Sequence, residues 1–120
     1  MEYVIIALKL IVGLSLLNVW LVQPKKETPW RGGDAKTLAD EFKVYGLSTW
    51  MFYFVGTLKV GFAIFLLVSI WYPSVEHFPA VSLAVLLLGS IIMHFRINDP
   101  LKKSFPAALF FVLCMLIHFL

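Results

Sequence analysis

Two lysines lie where an ammonium group is unfavourable. Lys9 is in the apolar run "YVIIALKLIVGLSLLNVWLV" and Lys59 is in "WMFYFVGTLKVGFAIFLLVSIWY". A charged side chain at the centre of a bilayer costs about 2.5–3.5 kcal/mol on insertion scales. Each lysine must therefore reach the interface or a polar partner. Lys9 is close enough to the end of its run for its long stem to snorkel outward. Lys59 is near the middle of its run and needs a partner inside. Gly56, Lys59, Val60 and Ala63 recur at i, i+3, i+4 and i+7, and small residues mark where helices approach closely. Lys59 is expected to face the interior of a helix bundle. The candidate partners are Glu41, Asn18, His94 and Tyr53, with Glu41 favoured.

A second group with chemistry surrounds "MHFRINDPLKKSFP". His94 shares a helix face with Ser90, and Asp99 follows five residues later. Asp99-Pro100 reads as an N-cap and first helical position, with the acid also complementing the helix N-terminal dipole. A hydrogen bond from His94 to Asp99 would close the 96–103 corner. On that reading Pro106 falls inside the last helix and kinks it. The alternative is a helix that restarts with Ser104 as its cap. His77 and His118 belong to the opposite end and are able to pair, but nothing else marks a haem site. Cys114 is the single cysteine. It permits no internal disulfide and no C-x-x-C pair, and reads as a small buried hydrophobe. No nucleophilic triad, metal-ligand cluster or phosphate-binding loop is visible.

These residues need elements to hold them, and composition says what kind. The chain has 120 residues, 61% hydrophobic and 14% charged, against about 45–50% and 25% in soluble domains. Lipid is the solvent that suits such a surface. Segments of about 20 apolar residues cross a bilayer as helices. Four are present, at about 3–22, 50–72, 79–97 and 100–120. The expected fold is an all-α integral membrane four-helix bundle forming one domain. The first span starts with the acidic "MEYV" and ends in "NVWLVQPKK", without a cleavage site of small residues, and is expected to be retained. Between the first two spans, "DAKTLADEFKVY" reads as an amphipathic helix over 34–45. Asp34 is its N-cap after Gly32-Gly33, Ala35, Leu38, Ala39, Phe42 and Tyr45 form its apolar face, and Gly46 is its stop. Glu41 sits at the edge of that face, where it is the acid placed to look toward the bundle.

The formal charge of +3 does not point to nucleic acid, because the basic residues flank spans. Lys25, Lys26, Arg31, Lys36, Lys43, Arg96, Lys102 and Lys103 all fall in or beside the two loops of one face, and no basic residue outside a span falls on the other. The positive-inside rule then puts both termini on the non-cytoplasmic side, in what reads as a bacterial inner membrane. Trp20, Trp50, Trp71 and Tyr72 lie near span ends, as an aromatic belt would place them.

The stretches "WRGGDAKTLADEFKVYGL", "GTLKVGFAIFLL" and "MHFRINDPLKKSFPAALFF" together resemble the DoxX-like family of small four-span membrane proteins, over nearly the whole chain. The resemblance implies the fold and a membrane location. For activity it implies less, since one branch assists receptor assembly and another supplies a small subunit of a thiosulfate:quinone oxidoreductase. The "H-x4-D-P-L-K" spacing is similar to that of the assembly branch. This chain departs from that branch in carrying Lys59 where an acid stands.

The first functional expectation is a non-enzymatic accessory or assembly protein that binds lipid, another membrane protein or a second copy of itself, with no cofactor. The alternative is a quinone-linked redox subunit in which Lys59, His94 and Tyr53 line a quinone pocket. A small-solute transporter using Lys59 as an anion site comes last. Small multidrug exporters share the size and span count, but their coupling needs an acid in the first span, where this chain has only Lys9.

Overall fold

The computed structural model describes residues 2–22, 33 and 35–120. Among the described residues, four helices are long and apolar enough to cross a membrane, covering Glu2–Val22, Thr49–Val68, Pro73–Arg96 and Leu101–Phe119. Within them, α1 is Glu2–Leu17 followed by one π-helical turn, Asn18–Val22. The loop helix α2 is Leu38–Val44, α3 is Thr49–Val68, α4 is His77–Arg96 and α5 is Phe105–Phe119. The spanning helices close into a ring in which α1 packs on α3, α3 on α4, α4 on α5 and α5 back on α1. The core between them is formed by small and branched apolar side chains, among them Val12, Ala63, Leu83 and Ile117. Cys114 belongs to this core as a free, fully buried thiol.

Helix ends follow the local chemistry. Ser48 caps α3 by accepting from the Met51 N–H. The helix stops at Val68, short of the expected 72, with Ser69 as its C-cap, and Pro73 opens the next turn. Pro79 lies in the first turn of α4, where its missing N–H leaves no bond unmade. At the far end of α4 the chain turns through Asn98, held in the left-handed region at φ 57°. The N–H groups of Asn98 and Asp99 then bond back to the carbonyls of Phe95 and His94 at 3.1 and 3.0 Å. This is the Schellman closure. The loop helix ends the same way, with Gly46 at φ 79° and Leu47 N bonded to Phe42 O at 2.9 Å.

Two expected boundaries are corrected. The loop helix covers seven residues instead of twelve, and its N-cap is Thr37, whose hydroxyl accepts from Asp40 N at 3.1 Å. Thr37 has the extended backbone and short hydroxyl side chain that a cap requires. The expected cap, Asp34, lies outside the described residues, as do Gly32, Lys25, Lys26 and Arg31. The last span does not begin as an α-helix at Asp99-Pro100. Pro100 is extended (ψ 145°) and leads a 3₁₀ turn over Leu101–Ser104. α5 starts after Ser104, so Pro106 falls in its first turn and introduces no internal kink.

Candidate functional site

At the loop end of the bundle, the backbone closure at Asn98 folds Asp99 over the last turn of α4. The Asp99 carboxylate then meets the ring of the residue whose carbonyl its own N–H already holds: His94 Nδ1 lies 2.8 Å from Asp99 Oδ2. The five-residue spacing is thus a property of the cap. Asp99 also accepts from Gly33 N, at 3.0 and 3.3 Å to its two oxygens. Lys103 Nζ donates to Gly33 O at 2.6 Å. One peptide segment ahead of α2 is therefore gripped through both its N–H and its carbonyl by the 99–103 corner. An acceptor-only carboxylate facing Nδ1 makes that nitrogen the donor.

The other ring nitrogen faces α2. His94 Nε2 is 3.2 Å from the Tyr45 hydroxyl, which donates in turn to the Glu41 carboxylate. Glu41 and Tyr45 are one helical turn apart and share the buried face of α2 with Phe42. Glu41 Oε1 lies 3.8 Å from His94 Nε2. A continuous polar chain, Glu41–Tyr45–His94–Asp99, thus joins the loop helix to the α4–α5 corner. Beside it Trp20, Phe42 and Phe52 form an aromatic cluster, with ring centroids 5.4–5.9 Å apart.

Lys59 is buried and inward-facing, and its ammonium donates to Ser90 Oγ at 3.0 Å. It also sits 5.7 Å from the centroid of the Trp20 ring, within cation–π range. Ser90 is one turn before His94 on α4, so Lys59 and His94 are served by one stripe of that helix. The favoured partner, Glu41, instead accepts a hydrogen bond from Tyr45. Gly56 makes room for this arrangement. A Cβ there would come within 2.6 Å of the Trp20 ring.

Two residues expected inside are outside. Tyr53 is 66% exposed. It is six positions from Lys59, which is about 120° around an α-helix, so both cannot face the interior. Asn18 is exposed as well. It follows the inward-facing Leu16 by two residues and points to nearly the opposite side of α1. The π turn that begins at Asn18 brings Trp20 inward instead, so Trp20 is no belt residue. Trp50, Trp71 and Tyr72 are exposed.

Lys9 does not snorkel. It is 1% exposed, pairs with Glu76 Oε2 at 2.5 Å and donates to Ser69 O at 3.0 Å. The three residues belong to α1, the end of α3 and the start of α4, so the pair ties three helices at the end away from the loop helix. Glu76 lies at the N-terminus of α4, where the helix dipole favours an anion. The sequence gives little signal for this pair, because Glu76 reads as a solvated turn residue. The usable hint is that it is the one acid in the "PSVEH" turn, at the same end as Lys9. His77 and His118 approach at that end too, with Nδ1 atoms 3.1 Å apart.

Four apolar helices in a ring, tied across by buried polar side chains, define an integral membrane four-helix bundle. The chain belongs to the DoxX-like family, whose model matches residues 33–117. The match starts at Gly33, the residue gripped by Asp99 and Lys103, and takes in Glu41, Lys59, His94 and Asp99. No curated protein and no solved structure matches the chain.

Proposed function

We propose that this DoxX-like membrane protein is a non-enzymatic accessory or assembly factor, which presents a rigid four-helix surface to lipid or to another membrane protein. One observation carries the reading: among the described residues, the buried lysines, Glu76 and His94 join different parts of the fold. Lys9 and Glu76 connect α1, α3 and α4; Lys59 connects α3 to α4; His94 connects α4 to α2 and to the 99–103 corner. Groups engaged in this way serve rigidity, and a rigid lipid-exposed surface suits recognition of another apolar surface. The basic residues of the loop face favour a bacterial inner membrane with both ends of the chain on the non-cytoplasmic side.

The quinone-linked alternative rests on a separate observation. Glu41, Tyr45, His94 and Asp99 form a chain of groups able to pass a proton, which quinone reduction requires. One experiment separates the two readings. The protein is extracted with its native lipids and examined by native mass spectrometry and by absorbance before and after addition of a reductant. The accessory reading expects a stoichiometric membrane protein or lipid and no redox-dependent spectrum. Bound quinone that changes redox state would overturn it in favour of the alternative.

A further inference from the structure

The end of the bundle opposite the loop helix holds a pair of groups that the accessory reading does not use. His77 opens α4 and His118 lies in the last turn of α5. These helices are antiparallel neighbours, so the two imidazoles meet at one end of the molecule. Their Nδ1 atoms are 3.1 Å apart, their ring centres 5.0 Å apart and their planes at 86°. His77 is exposed and His118 half-buried, so the pair is not enclosed by the bundle. The neighbouring acid, Glu76, is already held by Lys9.

Two imidazole nitrogens at this distance have two ways to be satisfied. One is a hydrogen bond between rings of opposite tautomer. The other is a shared metal ion. With metal–nitrogen bonds of about 2.0–2.1 Å, two ligands at a tetrahedral angle are about 3.3–3.4 Å apart, and two at a right angle about 2.8–3.0 Å apart. The observed separation lies between these values, so small ring rotations reach either geometry. Ligands on opposite sides of a metal would need about 4.0–4.2 Å at the same bond length, which disfavours an axial pair on haem iron.

We propose that His77 and His118 form a two-histidine site for a borderline divalent transition-metal ion such as Zn²⁺, Cu²⁺ or Ni²⁺. Neutral imidazole suits these ions. The two nitrogens occupy adjacent coordination positions, and water or a donor from a bound partner completes the shell. The ion clips the start of α4 to the end of α5, and it does so on the face away from the loop helix.

The test uses the full chain without an affinity tag, in lipid nanodiscs, titrated with Ni²⁺ and with Zn²⁺ by calorimetry. One ion per chain is expected, with at least tenfold weaker binding in both His77→Ala and His118→Ala. Zn²⁺ is expected to raise the thermal midpoint of the parent protein and to leave that of the double variant unchanged. His77→Gln, which keeps a hydrogen-bonding side chain without an imidazole ligand, is expected to fold normally and to lose the metal response. Absence of binding at millimolar metal would overturn the proposal. So would binding that survives unchanged in either single variant.

Discussion

The two ends of the bundle solve one problem differently. At the loop end, among the described residues, Glu41, Tyr45, His94 and Asp99 form a connected network, with a backbone segment gripped alongside it. At the other end, one ammonium and one carboxylate face each other, with a single carbonyl in support. A network shares its load, so removal of one member leaves the others with partners. An isolated buried pair does not, because loss of either member strands a charge in a low-dielectric interior. The bundle should accordingly be fragile at the Lys9 end and more tolerant at the His94 end.

The strongest way to break this comparison is Lys9→Met. It leaves the Glu76 carboxylate buried without its cation, and we expect a loss of about 3–5 kcal/mol, read as a lowered unfolding midpoint in lipid nanodiscs. A loss below that of Asp99→Ala would reverse the ranking of the two ends. Asp99→Ala removes the acceptor for His94 Nδ1 and for Gly33 N, at an expected cost of about 1–3 kcal/mol. Its distinguishing sign is local, with faster proteolytic cleavage in the chain ahead of α2 and little change in the spanning helices.

Packing sharpens the comparison further. Gly56→Ala drives a methyl group against the Trp20 ring and should cost about 1–3 kcal/mol. Gly61 on the same helix has nothing within 4 Å of an added Cβ, so Gly61→Ala should stay within about 0.5 kcal/mol of the parent. A small effect is expected at Lys59 as well. Lys59→Met gives up the Ser90 bond and the contact with Trp20, but also relieves the burial of an ammonium group. Interhelical hydrogen bonds in membranes average about 0.6 kcal/mol, so a change under about 1 kcal/mol is expected, with normal insertion. A large loss there would place the critical charge at the loop end after all.

The same contrast explains what the sequence made legible. The spans follow from apolar length, and the His94–Asp99 corner from a spacing of five residues. Both are local signals. The inward face of α3 is also local, since Gly56, Lys59 and Ala63 share one stripe. Lys59's partner is not a local signal, because a long side chain reaches several positions on the next helix, and the neutral Ser90 competes with the charged Glu41. The Lys9–Glu76 pair leaves little trace in the sequence, because its members are far apart and each has an ordinary local reading, as a snorkelling lysine and as a turn acid. Asn98 carries only a weak local signal, that asparagine tolerates the left-handed cap position. The outward Asn18 and the inward Trp20 depend on how the end of α1 packs against α3, including a π turn that no residue pattern announced.

The account depends most on buried polar residues acting as ties between helices, and a double-mutant cycle on Lys9→Met and Glu76→Gln measures that directly. The account predicts that each single variant is strongly destabilised and that the double variant is at least as stable as either one. Losses that simply add, or single variants as stable as the parent, would contradict it.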